Sequence, residues 1–113
     1  STWILDYDFA VVLFRINDNI NNLLEQWVIY DSEDCYYYLG NTYVLYYTIT
    51  ENTKDKLVLK IDDASTTSTL TFSIVNGELK LIVQEIFDGE LSYEDTLVLQ
   101  ETTIDVDNLT ICT

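Results

Sequence analysis

Residues 69–83 read Thr69-Leu70-Thr71-Phe72-Ser73-Ile74-Val75-Asn76-Gly77-Glu78-Leu79-Lys80-Leu81-Ile82-Val83. Before Asn76, apolar residues alternate with hydroxyl residues, so Leu70, Phe72 and Ile74 share one face of a strand. After Gly77 the alternation resumes, and Leu79, Leu81 and Val83 share a face. A period of two is that of a strand with one side in a core and one in water. Asn-Gly supplies the two positive φ angles of a type I′ turn, whose twist matches that of the strands it joins. The segment is predicted to be an antiparallel hairpin.

The same period extends outward. Tyr43, Leu45, Tyr47 and Ile49 share a face near residues 42–50. Leu57, Leu59 and Ile61 share one near 56–62, with Lys56 and Lys60 opposite. Leu97 and Leu99 mark a strand near 96–102, and Leu109 and Ile111 a last short one. The joints at 51–55 and 88–90 are short, which implies successive hairpins in a meander. With no proline and three glycines, the turns fall to Asn, Asp and Ser. One stretch departs from this pattern. Ile20, Leu23, Leu24 and Trp27 have helical spacing, with Asn17, Asp18 and Asn19 as available caps. It predicts one short helix near residues 19–27, with a strand entering at Trp27-Val28-Ile29-Tyr30. The sum is an all-β chain, an antiparallel sandwich or small barrel of about seven or eight strands. Residues 1–113 read as a single secreted β-domain.

Phe9-Ala10-Val11-Val12-Leu13-Phe14 does not alternate. A continuous apolar run in a strand means that both faces are buried. Either the strand is central in its own domain, or a second copy completes it. Phe9, Val11, Val12, Leu13 and Phe14 are therefore candidate assembly residues.

The net charge is −15, from 20 acidic and 5 basic residues. Nucleic-acid binding needs clustered cations to displace counterions, so it is excluded, and an anionic membrane surface would repel the chain. No run approaches the roughly 18 apolar residues of a transmembrane segment. Histidine is absent, and with it the commonest general base and metal ligand. The glycines stand alone, so no phosphate loop is present. The inventory points away from an enzyme. No cofactor is implied except calcium, for which Asp105 and Asp107, grouped with Asn108, are the candidate ligands. Turn aspartates are more often simply solvated.

Cys35 and Cys112 are the only cysteines. Joined, they would close a long loop, worth roughly 4.5 kcal/mol in the chain-entropy model. Small exported domains use such staples. The chain lacks Met even at position 1, which is expected after cleavage of a leader or precursor. An extracellular or cell-surface location follows from both features. Asn108-Leu109-Thr110 matches a glycosylation sequon. Of nine tyrosines, six lie between Tyr36 and Tyr47. Tyr36, Tyr38 and Tyr46 are candidates for surface recognition, because tyrosine offers a large rigid area and a polar tip.

The Trp-led first strand, the hairpins, and the segments Lys56-Leu57-Val58-Leu59 and Asn76-Gly77-Glu78-Leu79-Lys80-Leu81 resemble bacterial secreted lipocalin-like domains of the calycin type. Ser1-Thr2-Trp3 is similar to the Gly-x-Trp opening of lipocalins, with Ser1 where glycine stands. The resemblance implies a barrel whose apolar interior holds a small ligand. Three functions are thus expected. The first is a non-catalytic extracellular β-domain acting through its surface as a self-assembling structural or adhesive subunit. The alternatives are a lipocalin-like carrier of a small apolar ligand, and an acidic binder or inhibitor of a basic protein. The partner is another copy or another protein.

Overall fold

The computed structural model describes residues 2–17, 23–40 and 47–112. Those residues are all-β and antiparallel, and among them lie nine strands: β1 (Thr2–Asp6), β2 (Ala10–Ile16), β3 (Leu24–Tyr30), β4 (Tyr37–Gly40), β5 (Thr48–Asn52), β6 (Lys56–Asp63), β7 (Thr66–Val75), β8 (Glu78–Phe87) and β9 (Glu90–Thr102). Hydrogen bonding follows the order β4-β3-β2-β1-β9-β8-β7-β6-β5. Among the described residues, no strand pairing joins β4 to β5 to close this series on itself. The chain divides into two compact units, Ser1–Thr42 with Gln100–Thr113, and Tyr43–Leu99.

The second unit is a meander. Asn76 (φ 53°) and Gly77 (φ 79°) form the expected turn, and β7 pairs with β8 without interruption from Thr66 opposite Phe87 to Val75 opposite Glu78. Asp88 and Gly89 repeat the device between β8 and β9. The registers align Leu57, Phe72, Leu81 and Leu97 in one row, and Leu59, Leu70 and Val83 in the next. Leu57, Leu59, Leu70, Phe72, Leu79, Leu81 and Leu99 are buried. Of the strand expected near 42–50, β5 is the described part, and Tyr43, Leu45 and Tyr46 lie outside the described residues.

The first unit corrects two expectations. Residues 24–27 are not helical. They open β3, which pairs with β2 from Leu24 opposite Ile16 to Tyr30 opposite Ala10. The spacing of Leu23, Leu24 and Trp27 misled because all three are buried, and a strand with both faces covered has no alternation to reveal it. The remainder of that expected helix, residues 19–22, lies outside the described residues. Leu109 and Ile111 do not form a strand either. Val106–Asn108 is a 3-10 turn, and beyond it only one isolated parallel bridge joins Ile111 to Tyr36.

β2 is central. β1 and β3 pair with its two edges, so this strand presents no open edge to a neighbour. Ala10, Val12 and Phe14 are buried on one face and Leu13 on the other, where Val11 is half-buried. Phe9 departs from the expectation. It is 66% exposed, because a tight turn closed by Tyr7 N–H donating to Ala10 O (2.8 Å) precedes β2. The Leu13 face packs with Trp27 and Val106, surrounded by Ile4, Val11, Tyr36, Ile104 and Leu109. Val106, Ile104 and Leu109 come from the C-terminal segment. It is held by Tyr36 N–H to Thr110 O, by Cys112 N–H to Tyr36 O (2.8 Å each), and by the Cys35 to Cys112 disulfide.

Leu13 and Phe9 therefore separate burial from composition within one apolar run. Leu13→Ala should cost about 2–5 kcal/mol, whereas Phe9→Ala should cost under about 0.5 kcal/mol. Urea unfolding of both variants, followed by far-ultraviolet circular dichroism, checks the contrast.

Candidate functional site

The register of β2 and β3 sets Arg15 opposite Glu25. Glu25 is 7% exposed and is the one buried charged residue among those described. A buried carboxylate is stable only if hydrogen-bonded and paired. Arg15 donates to Glu25 Oε1 from Nε (3.0 Å) and from its terminal NH2 nitrogen (2.8 Å). Asn17 Nδ2 donates to the same oxygen at 2.7 Å. Tyr38, across from Trp27 on β4, donates its hydroxyl to Oε2 at 2.7 Å. The other terminal nitrogen of Arg15 reaches both carboxylate oxygens of Asp107 at 3.1 Å. The guanidinium lies over the Trp27 ring, 5.4 Å from its centroid, and the Tyr38 ring stands 5.3 Å from that of Trp27.

The protonation states follow. Burial alone would raise the Glu25 pKa, but the hydrogen bonds from Tyr38, Arg15 and Asn17, with the charge of Arg15, outweigh it and hold the carboxyl below its ordinary value. The hydrogen bond to Glu25, then burial, pushes the Tyr38 hydroxyl up to about 12. Burial opposes the charge of Arg15, yet its two carboxylate partners raise its pKa further. All three states are locked near neutrality, and no buried side-chain nitrogen or oxygen lacks a partner among the described residues. The cluster joins β2, β3, β4 and the 3-10 turn. Its chemistry is that of a brace.

The other expected site residues scatter. Cys35 and Cys112 are bonded. Asp105 accepts from Asp107 N–H (3.1 Å) and from the Asn108 side chain, capping the 3-10 turn, while Asp107 faces Arg15. The two carboxylates are thus engaged by different protein partners. Among the described residues, the acidic and thiol groups close enough to share a metal are Glu33, Cys35 and Cys112, and the last two are consumed by the disulfide. Tyr36 packs beside the Leu13 cluster, and Tyr38 is 48% exposed but turns its hydroxyl inward to Glu25. Tyr46 lies outside the described residues. Reading the sequence missed Glu25 altogether. Its signal was available: Arg15 and Glu25 end two apolar strands at matching positions, once residues 24–30 are read as β3.

In the second unit, Thr48, Thr50, Lys60, Ile61 and Asp62 line an open depression of about 450 Å³. Its hydroxyls, amine and carboxylate suit water or a polar group, unlike the apolar interior that the lipocalin resemblance implies. No protein-family model, curated protein or solved structure matches the chain.

Glu25→Gln keeps the shape and removes the charge. It should cost about 1–3 kcal/mol at neutral pH, the range for charge-assisted hydrogen bonds. Folding depresses the Glu25 pKa from 4.5. The stabilisation is therefore complete above that value and is lost as pH falls through the lower folded value. Urea midpoints of wild type and variant should differ at about pH 7 and converge as the pH falls through the lowered Glu25 value.

Proposed function

We propose that the chain is a non-catalytic extracellular β-domain that acts through its surface, as a self-assembling structural or adhesive subunit. One observation carries this reading. β9 pairs with β1 only at residues 100–102, whereas β8 occupies its other edge from Glu90 to Leu99. Over residues 94–99 the second edge of β9 therefore has no strand ladder beside it among the described residues. Thr96 N–H donates to its neighbour Asp95 Oδ1 (2.9 Å), so this donor is turned away from the β8 ladder. An unpaired edge is a template for strand addition. Leu91 (57% exposed) and Val98 (41%) give such a contact apolar side chains to bury.

Charge works against it. Glu90, Glu94 and Asp95 lie on this edge strand, and two copies meeting there bring like charges together. Natural edge strands carry charges for that reason. Salt screens the repulsion and acid removes it, so assembly is a conditional property. The disulfide supports the extracellular location, and among the described residues no helix is long and apolar enough to cross a membrane.

A specific observation favours the acidic-binder reading as second. In Ser1–Thr42 and Gln100–Thr113, Arg15 is the only basic residue against ten acidic ones, and Arg15 is already paired.

Light scattering tests the first reading. The average mass of wild type should rise with added salt and with falling pH. Val98→Asp and Thr96→Pro should remain monomeric under the same conditions: the first removes an apolar contact and adds to the repulsion, and the second removes an edge N–H without removing a β8 hydrogen bond at Thr96. A wild type monomeric throughout, or variants that assemble equally well, would contradict the role of the edge.

A further inference from the structure

The fold holds its one arginine in a specific way. Arg15 lies over the Trp27 ring with the carboxylates of Glu25 and Asp107 on its nitrogens. A planar guanidinium suits this setting, since it stacks on an aromatic face and forks its N–H groups toward a carboxylate. The same ingredients occur a second time, at the surface and without a cation. Tyr30, at the end of β3, and Tyr37, at the start of β4, place their rings 5.9 Å apart at 59°. They are 43% and 37% exposed. Glu33 lies in the loop between them, where its N–H donates to Tyr30 O at 2.9 Å. The charge of Glu33, then desolvation, then a hydrogen bond to Glu33 raise the Tyr37 pKa, and a Glu33 carboxylate oxygen lies within 4.8 Å of the Cys35 and Cys112 sulfurs. The Cys35 to Cys112 disulfide anchors the loop two residues beyond Glu33. Among the described residues, no Lys or Arg forms an ion pair with Glu33; the pairs there are Arg15 with Glu25 and Asp107, Lys56 with Glu51, and Lys60 with Asp62.

We propose that Tyr30, Tyr37 and Glu33 form a recognition site for an arginine side chain presented by a different protein. The two rings touch, so the ligand lies flat on an exposed ring face rather than between them, which favours a planar guanidinium over a round ammonium. Arg15 of another copy is not the source, because it is held by Glu25 and Asp107. The surrounding Asp31 and Asp34 add long-range attraction for a basic partner. This site is independent of the β9 edge and stands or falls without it.

The probe is a peptide with one arginine between neutral residues, its termini blocked, titrated into isotopically labelled protein and followed by NMR. Its lysine counterpart and tetramethylammonium serve as comparisons. Arginine should shift Tyr30, Glu33 and Tyr37 signals first. Tyr37→Leu should weaken binding about two- to fivefold, the worth of one exposed cation–π contact, and Glu33→Gln should weaken it as well. Asp62→Asn, on the second unit, should leave binding unchanged. Melting curves matching wild type show that the variants remain folded; if Tyr37→Leu melts lower, Tyr37→Phe, with ring face kept, should still bind. No shifts at these residues, equal binding in both site variants, or lysine or tetramethylammonium binding as well as arginine would overturn the proposal.

Discussion

A strand with two apolar faces needs two covers. In this protein that strand is β2, and much of the first unit follows from it. Along its edges, β1 and β3 satisfy the backbone, so the covers must come from above and below. On the Leu13 face the cover is the C-terminal segment, with Val106 set against Leu13 and Trp27. That segment has almost no ladder of its own, only one bridge at Ile111. Apolar contact of this size would not alone offset the ordering of about ten residues, each costing about 1–2 kcal/mol of backbone entropy. The disulfide therefore ties it down across a separation of 77 residues, and the Asp105 cap and the Asp107 to Arg15 contacts fix its turn.

The brace around Glu25 serves the same strand. Placing a carboxylate 7% exposed beside an apolar cluster is costly unless each oxygen is met, and here Arg15, Asn17 and Tyr38 meet both. Such a set fixes register: a slip of β3 by one residue would turn Glu25 to the opposite face and leave Arg15 without it. The exposed Asp107 contact adds little energy, as surface pairs do, but it sets where the 3-10 turn lands.

The second unit was legible because each of its strands has one wet face. Leu70, Phe72, Leu79 and Leu81 alternate with hydroxyl or charged residues, and Asn76-Gly77 names its own turn. The first unit was less so. β3 is buried on both sides, so Leu24, Trp27 and Val28 carry no period, and a helical spacing appeared by coincidence. Cys35 and Cys112 were readable as a pair from their number, but what the bond holds in place was not, since Val106 reaches Leu13 only through tertiary packing. Asp105 caps its turn and Asp107 meets Arg15, 92 residues away, contacts that no local spacing in the sequence announces. Glu25 went unseen because a charge at a core position looks, in sequence, like any strand end.

The disulfide-tied C-terminal segment is the cover of β2 on its Leu13 face. Hydrogen exchange measured on oxidised and on reduced protein tests it most directly. Reduction should speed exchange in residues 104–112 and in β2 and β3 together, by more than in β7 and β8. Exchange in β2 that is unaltered by reduction, while residues 104–112 become free, would show that the strand does not need this cover.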